Sequence, residues 1–274
     1  MRKKQFFICL SLGLTGLLSS CSSVDEEENE PSLAKGMGQL TLNLAASNGF
    51  GEKATRAVNE ADYLNTDNYT IQVLDASNEV KASLKGNEAS TPIQLTRGDY
   101  TVKAFYGEIG VGASTDKFYV EGTSQVTVKA AETVTTTVNC VAQAAKVTVN
   151  FNKDLSKYLS DYNVTFGGTN AMGDGNITWS KEQKDPIYFQ TAQNGDELDY
   201  TINVTCKDDY LLNAQTGATT GQVSKSFTVQ RNKSYTINVN LNISNPGSLQ
   251  LTIEIDDSTN DIPLTWTVPV EWTK

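Results

Sequence analysis

From Gly38 onward the chain alternates apolar and polar residues with a period of two. Leu40-Thr41-Leu42-Asn43-Leu44, Tyr69-Thr70-Ile71-Gln72-Val73 and Tyr100-Thr101-Val102-Lys103-Ala104-Phe105 all follow this pattern. So do Val126-Thr127-Val128, Val134-Thr135-Thr136-Thr137-Val138 and Val147-Thr148-Val149-Asn150-Phe151. Strands with one buried and one wet face read this way, and Thr, Val and Tyr suit a pleated surface. Asp154 to Tyr162 offers one short helical turn, and no longer amphipathic helix stands out. Many short strands punctuated by Gly, Asn and Asp predict an all-β chain of antiparallel sandwiches rather than a parallel α/β sheet.

The pattern also echoes itself about one hundred residues further on. Gly98-Asp99-Tyr100-Thr101-Val102, Phe118-Tyr119-Val120 and Thr133 to Val138 are followed by Gly195-Asp196 with Tyr200-Thr201-Ile202-Asn203-Val204, Phe227-Thr228-Val229 and Lys233 to Val239. Two tandem sandwiches are expected, at 38–143 and 144–274, joined near Ala142 to Ala145. The last segment, from Ile262 to Trp272, is broken by Pro263 and Pro269, which confines it to a sheet edge or an extended state.

The start of the chain has a different logic. Arg2, Lys3 and Lys4 precede an apolar run from Phe6 to Leu18, too short for the roughly 20 residues of a membrane-crossing helix and read instead as a signal peptide over 1–20. Leu18-Ser19-Ser20-Cys21 resembles the lipobox of bacterial lipoproteins, with Cys21 the lipidated residue after cleavage. Each buried CH₂ adds about 0.8 kcal/mol, so acyl chains such as palmitate hold a protein on a bilayer without protein contacts. Residues 21–37 include Asp25-Glu26-Glu27-Glu28-Asn29-Glu30, too acidic to bury apolar surface and expected to form a disordered tether.

Charge and composition narrow the function. The chain carries 22 Lys and Arg against 32 Asp and Glu, a net charge of −10. Loss of the basic signal peptide leaves the mature chain more acidic still, which disfavours nucleic acid and anionic lipid as partners. There is no histidine. That removes the commonest general base, the usual zinc ligand and every His-dependent triad. No catalytic residue and no cofactor are assigned, and the protein is read as a non-enzyme. The acidic clusters Asp196-Glu197-Asp199, Asp208-Asp209 and Asp256-Asp257 with Asp261 lack calcium-loop spacing and read as solvated turns, so no metal is expected. After Cys9 leaves with the signal peptide and Cys21 is acylated, Cys140 and Cys206 remain, read as two buried thiols in preference to a bridge.

The ordered set of elements carries a resemblance. It comprises the lipobox, the acidic tether, the Gly38 to Leu44 opening strand, Thr55-Arg56-Ala57, the stretch from Pro92 to Ala104, and Val138-Asn139-Cys140 leading into Lys146 to Phe151. Together they resemble a Bacteroidetes lipoprotein family classed as a domain of unknown function and allied to fimbrillin-like proteins. The resemblance implies two transthyretin-like Greek-key sandwiches on the cell surface, and reads the acidic stretch as a signal for the outer face of the outer membrane, with a plain spacer as the other reading.

The resemblance also implies candidate sites. Some fimbrillins are cut after an arginine beyond the first strand, freeing a groove for a strand from the next subunit; Arg56 stands where that cut would fall, or is an ordinary loop residue. The tail then either completes the second sandwich, the favoured reading, or is a donor strand filling pockets with Trp266, Val268, Val270 and Trp272. Trp266, Trp272 and Trp179 are also the candidate platforms for stacking on sugars, with a core role favoured for Trp179. Asp257-Ser258-Thr259 resembles an O-glycosylation motif that would place a glycan on Ser258. The expected function is a lipid-anchored structural or adhesive surface module, cell adhesion included. The alternatives are a pilus subunit or anchor assembling with other copies, and a glycan-binding lipoprotein of an uptake system.

Overall fold

The computed structural model describes residues 35–47, 49–50, 58–108, 112–167, 175–208, 210, 217–245, 248–257 and 264–268. The signal peptide, Cys21, most of the acidic tether, Arg56, Ser258 and Trp272 lie outside them. The first eight strands are β1 (Met37–Ser47), β2 (Thr70–Asp75), β3 (Val80–Lys85), β4 (Ile93–Thr96), β5 (Gly98–Gly107), β6 (Ala113–Ser114), β7 (Tyr119–Val128) and β8 (Thr133–Ala142). The alternation of the sequence is their burial pattern. In β1 Leu40 and Leu42 are fully buried, and in β5 Tyr100, Val102 and Ala104 point inward.

Gln143 separates β8 from the second set. That set comprises β9 (Ala144–Phe151), the one-turn helix α1 (Leu155–Tyr158), β10 (Leu159–Gly167), β11 (Ile177–Ser180), β12 (Ile187–Gln190), β13 (Asp196–Cys206), β14 (Thr220–Val229), β15 (Ser234–Asn245), β16 (Ser248–Asp257) and β17 (Leu264–Val268). The echo in the sequence is an echo in topology. The first half orders its strands β3-β2-β5-β7 and then β8-β1-β4; the second orders them β11-β10-β13-β14 and, within its other sheet, β15-β9-β12. The repeated motifs fall on matching strands: Tyr100 and Tyr200 on β5 and β13, Val134 to Val138 and Ile237 to Val239 on β8 and β15. Even the turns agree, since the residues entering β8 and β15 include Ala131 and Asn232, both at positive φ.

Two features go beyond the antiparallel sandwich expected. In each half the first strand lies parallel to a later one, β1 beside β8 and β9 beside β15. A parallel join needs a long crossover, and here the crossover is β2 to β7 in the first half and β10 to β14 in the second. The halves then differ at one seam. In the first, β7 meets β8 at Val120↔Ala142 and Glu121↔Val141, fusing both layers into a seven-stranded sheet. In the second, β16 occupies the flank of β15 and β17 follows it, giving a six-stranded sheet that faces a separate four-stranded one.

Each half has its own core. One cluster gathers Leu40, Leu42, Ile71, Val73, Val102, Val120 and Val138, the other Val149, Leu155, Val164, Phe166, Trp179, Ile202, Ile237 and Ile253. Cys140 and Cys206 are free and buried, one in each core. Burial pushes the Cys140 thiol up to about 12, with the nearby Glu121 adding to the effect, and burial raises Cys206 too.

Candidate functional site

The most concentrated chemistry among the described residues lies between the two halves, and β12 is what builds it. Ile187 and Phe189 point into the second core, whereas Tyr188, facing the other way, belongs to the first. All three are buried, so the strand shows no alternation at all. Tyr188 pairs across to Lys146 on β9, and cross-strand partners share a face. Both side chains therefore leave the second half together and enter the first.

They meet Glu60, in the 3-10 turn Glu60–Tyr63. Lys146 Nζ donates to Glu60 Oε1 at 2.6 Å, and Tyr188 OH donates to the same oxygen at 2.6 Å. The side chains of Lys146 and Glu60 are only 2% and 9% exposed, so this ion pair is out of bulk water. Aromatic rings enclose it. Phe118 stacks between Tyr63 at 3.8 Å and Tyr188 at 4.8 Å, Phe50 packs edge-on to Phe118 at 5.3 Å, and Lys146 Nζ lies 5.9 Å above the Phe50 ring.

Backbone joins the halves as well. The short β6 adds to the edge of β12 through Ala113↔Phe189 and Ser114↔Tyr188. Gly49 N donates to Asn232 Oδ1 at 2.8 Å, and Asn232 is itself held within the second half by its N–H on Ala144 O at 2.9 Å. Beside them a cavity of about 20 Å³, lined by Phe118, Gln143 and Tyr188 among others, has room for a water molecule.

Of the candidate site residues, Trp179 and Trp266 lie among the described ones. Trp179 lies in β11 at 2% exposure, packed in the second core, so it offers no surface for a sugar and is removed from the ligand aromatics. Trp266 is in β17, its backbone opposite Ile253 of β16. Arg56, Ser258, Trp272, Cys21 and Leu18-Ser19-Ser20 lie outside the described residues. In the acidic turns, Asp196 accepts the backbone N–H of Ala192 at 2.7 Å and Glu197 accepts from Ser226 Oγ. These are local turn and sheet bonds. Among the described residues no cluster of three or more His, Cys, Asp or Glu is placed to hold a metal.

Sequence reasoning passed over the Glu60, Lys146 and Tyr188 set. Glu60 and Lys146 are 86 residues apart, and no spacing rule connects them. One signal was present. Lys146 interrupts the apolar run Ala144-Ala145-Lys146-Val147, and a charge there calls for a buried partner.

Among solved structures, the chain is similar to a fimbrial assembly protein from Parabacteroides distasonis, with 10% identity over 85% of this chain and 99% of that one, at a TM-score of 0.44. It is similar also to a protein put forward as an adhesin from Bacteroides ovatus, with 12% identity over 87% of this chain and 95% of that one, TM-score 0.44. A third, put forward as polysaccharide-binding, from Bacteroides thetaiotaomicron, has 14% identity over 80% of this chain and 98% of that one, TM-score 0.43. No curated protein matches. The model of one family, described as a domain of unknown function and designated DUF4493, matches residues 36–270. That match takes in both halves of the fold, and the chain belongs to this family.

Proposed function

We propose that this chain is a non-catalytic structural or adhesive module, held by acyl chains on Cys21 at the outer membrane and presented to the cell exterior. The observation that carries the reading is the use made of the buried polar groups: Lys146 and Tyr188 both donate to Glu60 and close the junction between two repeated sandwiches. Lys146 and Glu60 are out of bulk water, and the geometry of the three serves cohesion. Behind a lipobox and an acidic tether, such a doubled unit suits a body that projects from a membrane and bears load.

The test is to replace Cys21 with Ser and follow the chain in its own cells. The reading predicts that the unaltered protein fractionates with the outer membrane and is digested when protease is added to intact cells. The Cys21→Ser chain should leave the membrane fraction. A protein that resists external protease until cells are lysed would contradict surface presentation.

A second reading, assembly by strand exchange with other copies, has one observation in its favour. β1 is an inner strand with β8 on one side and β4 on the other. Its loss would bare both neighbours' backbone groups and the pockets of Leu40 and Leu42. Glycan binding has no comparable feature among the described residues.

A further inference from the structure

The segment that follows β1 is docked onto the second half on both sides of residues 51–57. On the near side, Gly49 N donates to Asn232 Oδ1 and Phe50, 3% exposed, packs on Tyr188 at 5.7 Å. On the far side, Val58 is buried at 4% and Glu60 takes the bonds from Lys146 and Tyr188. Asn232, Tyr188 and Lys146 all belong to the second half, yet what they grip is the exit of the first strand of the first half. The grip at Gly49 is close, since a Cβ there would collide with the Asn232 carbonyl.

We infer that residues 49–50 and 58–60 form a clasp through which the second half retains β1 in the first. A break in the chain within 51–57 then does not release β1. The strand leaves only when Phe50 and Gly49 also let go of Tyr188 and Asn232. Two layers of retention act in series. The first is the pairing of β1 with β8 from Gln39 to Ser47 and with β4 from Met37 to Leu40, common to any inner strand. The second comes from the neighbouring sandwich, through Asn232 and Tyr188. The clasp depends neither on the anchor nor on whether a protease cuts within residues 51–57 in the cell.

The experiment replaces residues 51–57 of the full chain with the recognition sequence of a site-specific protease, cuts the folded protein in detergent, and follows the amino-terminal fragment by size-exclusion chromatography and mass spectrometry. The cut protein is expected to stay one species carrying both fragments. Phe50→Ala in the same background should speed fragment loss by at least roughly a hundredfold, the scale of removing a buried aromatic ring. Asn232→Gly keeps the positive-φ turn but removes the side-chain acceptor, and should speed loss about fivefold, the scale of one hydrogen bond. Should Phe50→Ala fail to fold, Asn232→Gly alone decides. Immediate loss of the fragment from the cut parent chain, or equal loss rates in parent and Asn232→Gly, would overturn the clasp.

Discussion

Tyr188 donates its phenol hydrogen to Glu60 at 2.6 Å across the junction, sharing the carboxylate oxygen that Lys146 also engages. The pair is separated by 128 residues and joins a 3-10 turn of the first half to β12 of the second. A buried ion pair is weak evidence of net stabilisation, since desolvating two charges offsets their attraction, but breaking one side of it is costly.

Lys146→Met is therefore expected to destabilise the fold by about 3 to 5 kcal/mol, because Glu60 is left charged and buried without its cation. Glu60→Leu combined with Lys146→Met should recover most of that loss, which denaturant titration of the single and double variants measures. Tyr188→Phe keeps the ring against Phe118 and removes one bond to a charged group, for a loss of about 1.5 to 3 kcal/mol.

Tyr200 gives the opposite sign. Its hydroxyl is buried in the second core with no hydrogen-bond partner among the described residues, and Trp179 Nε1 is in the same situation. Removing an unpaired buried hydroxyl recovers part of its desolvation cost. Tyr200→Phe should raise stability by about 1 kcal/mol, visible as a higher denaturation midpoint, whereas a clear loss would mean the hydroxyl is satisfied.

Gly122 marks the seam that separates the two halves' plans. A Cβ at this position would run into the Asn139 carbonyl of β8, where β7 crosses from one layer to the other. Gly122→Ala should cost about 1 to 3 kcal/mol by forcing β7 and β8 apart. Gly221, on β14, has no such seam to close, because β15 is flanked by β16 instead. The same substitution there is expected to be mild, and thermal unfolding of the two variants makes the comparison.

Alkaline pH should weaken the fold. Burial holds the Cys140 thiol near 12 and the Tyr200 phenol near 12, above ordinary values of about 8.5 and 10. Below those ordinary values both states are protonated and nothing changes. As pH rises past about 8.5, the unfolded chain loses protons that the folded one keeps, so stability falls progressively until the folded-state values are passed. Denaturation midpoints between pH 7 and pH 11 test this, and Cys140→Ala should flatten the earlier part of the decline.

Much of the fold was legible because a strand with one wet face writes its period into the sequence. β1, β5 and β8 announced themselves in this way, and the matching motifs on β5 and β13 announced the duplication. The junction was illegible for the same reason. β12 is covered on both faces, so Ile187-Tyr188-Phe189 carries no period, and β6 has only two residues. The parallel joins of β1 with β8 and β9 with β15 left no mark either, since a strand reads alike whichever way its neighbour runs. Lys146 was the one visible clue, and its partner could be found only in three dimensions.

The proposed function requires a lipid-held, uncut body at the cell surface. The most direct measurement is the intact mass and amino-terminal residue of the protein recovered from the surface of its own cells. A lipid-held, uncut body gives one species beginning at acylated Cys21. A species beginning at Ala57, without lipid and without β1, would contradict it.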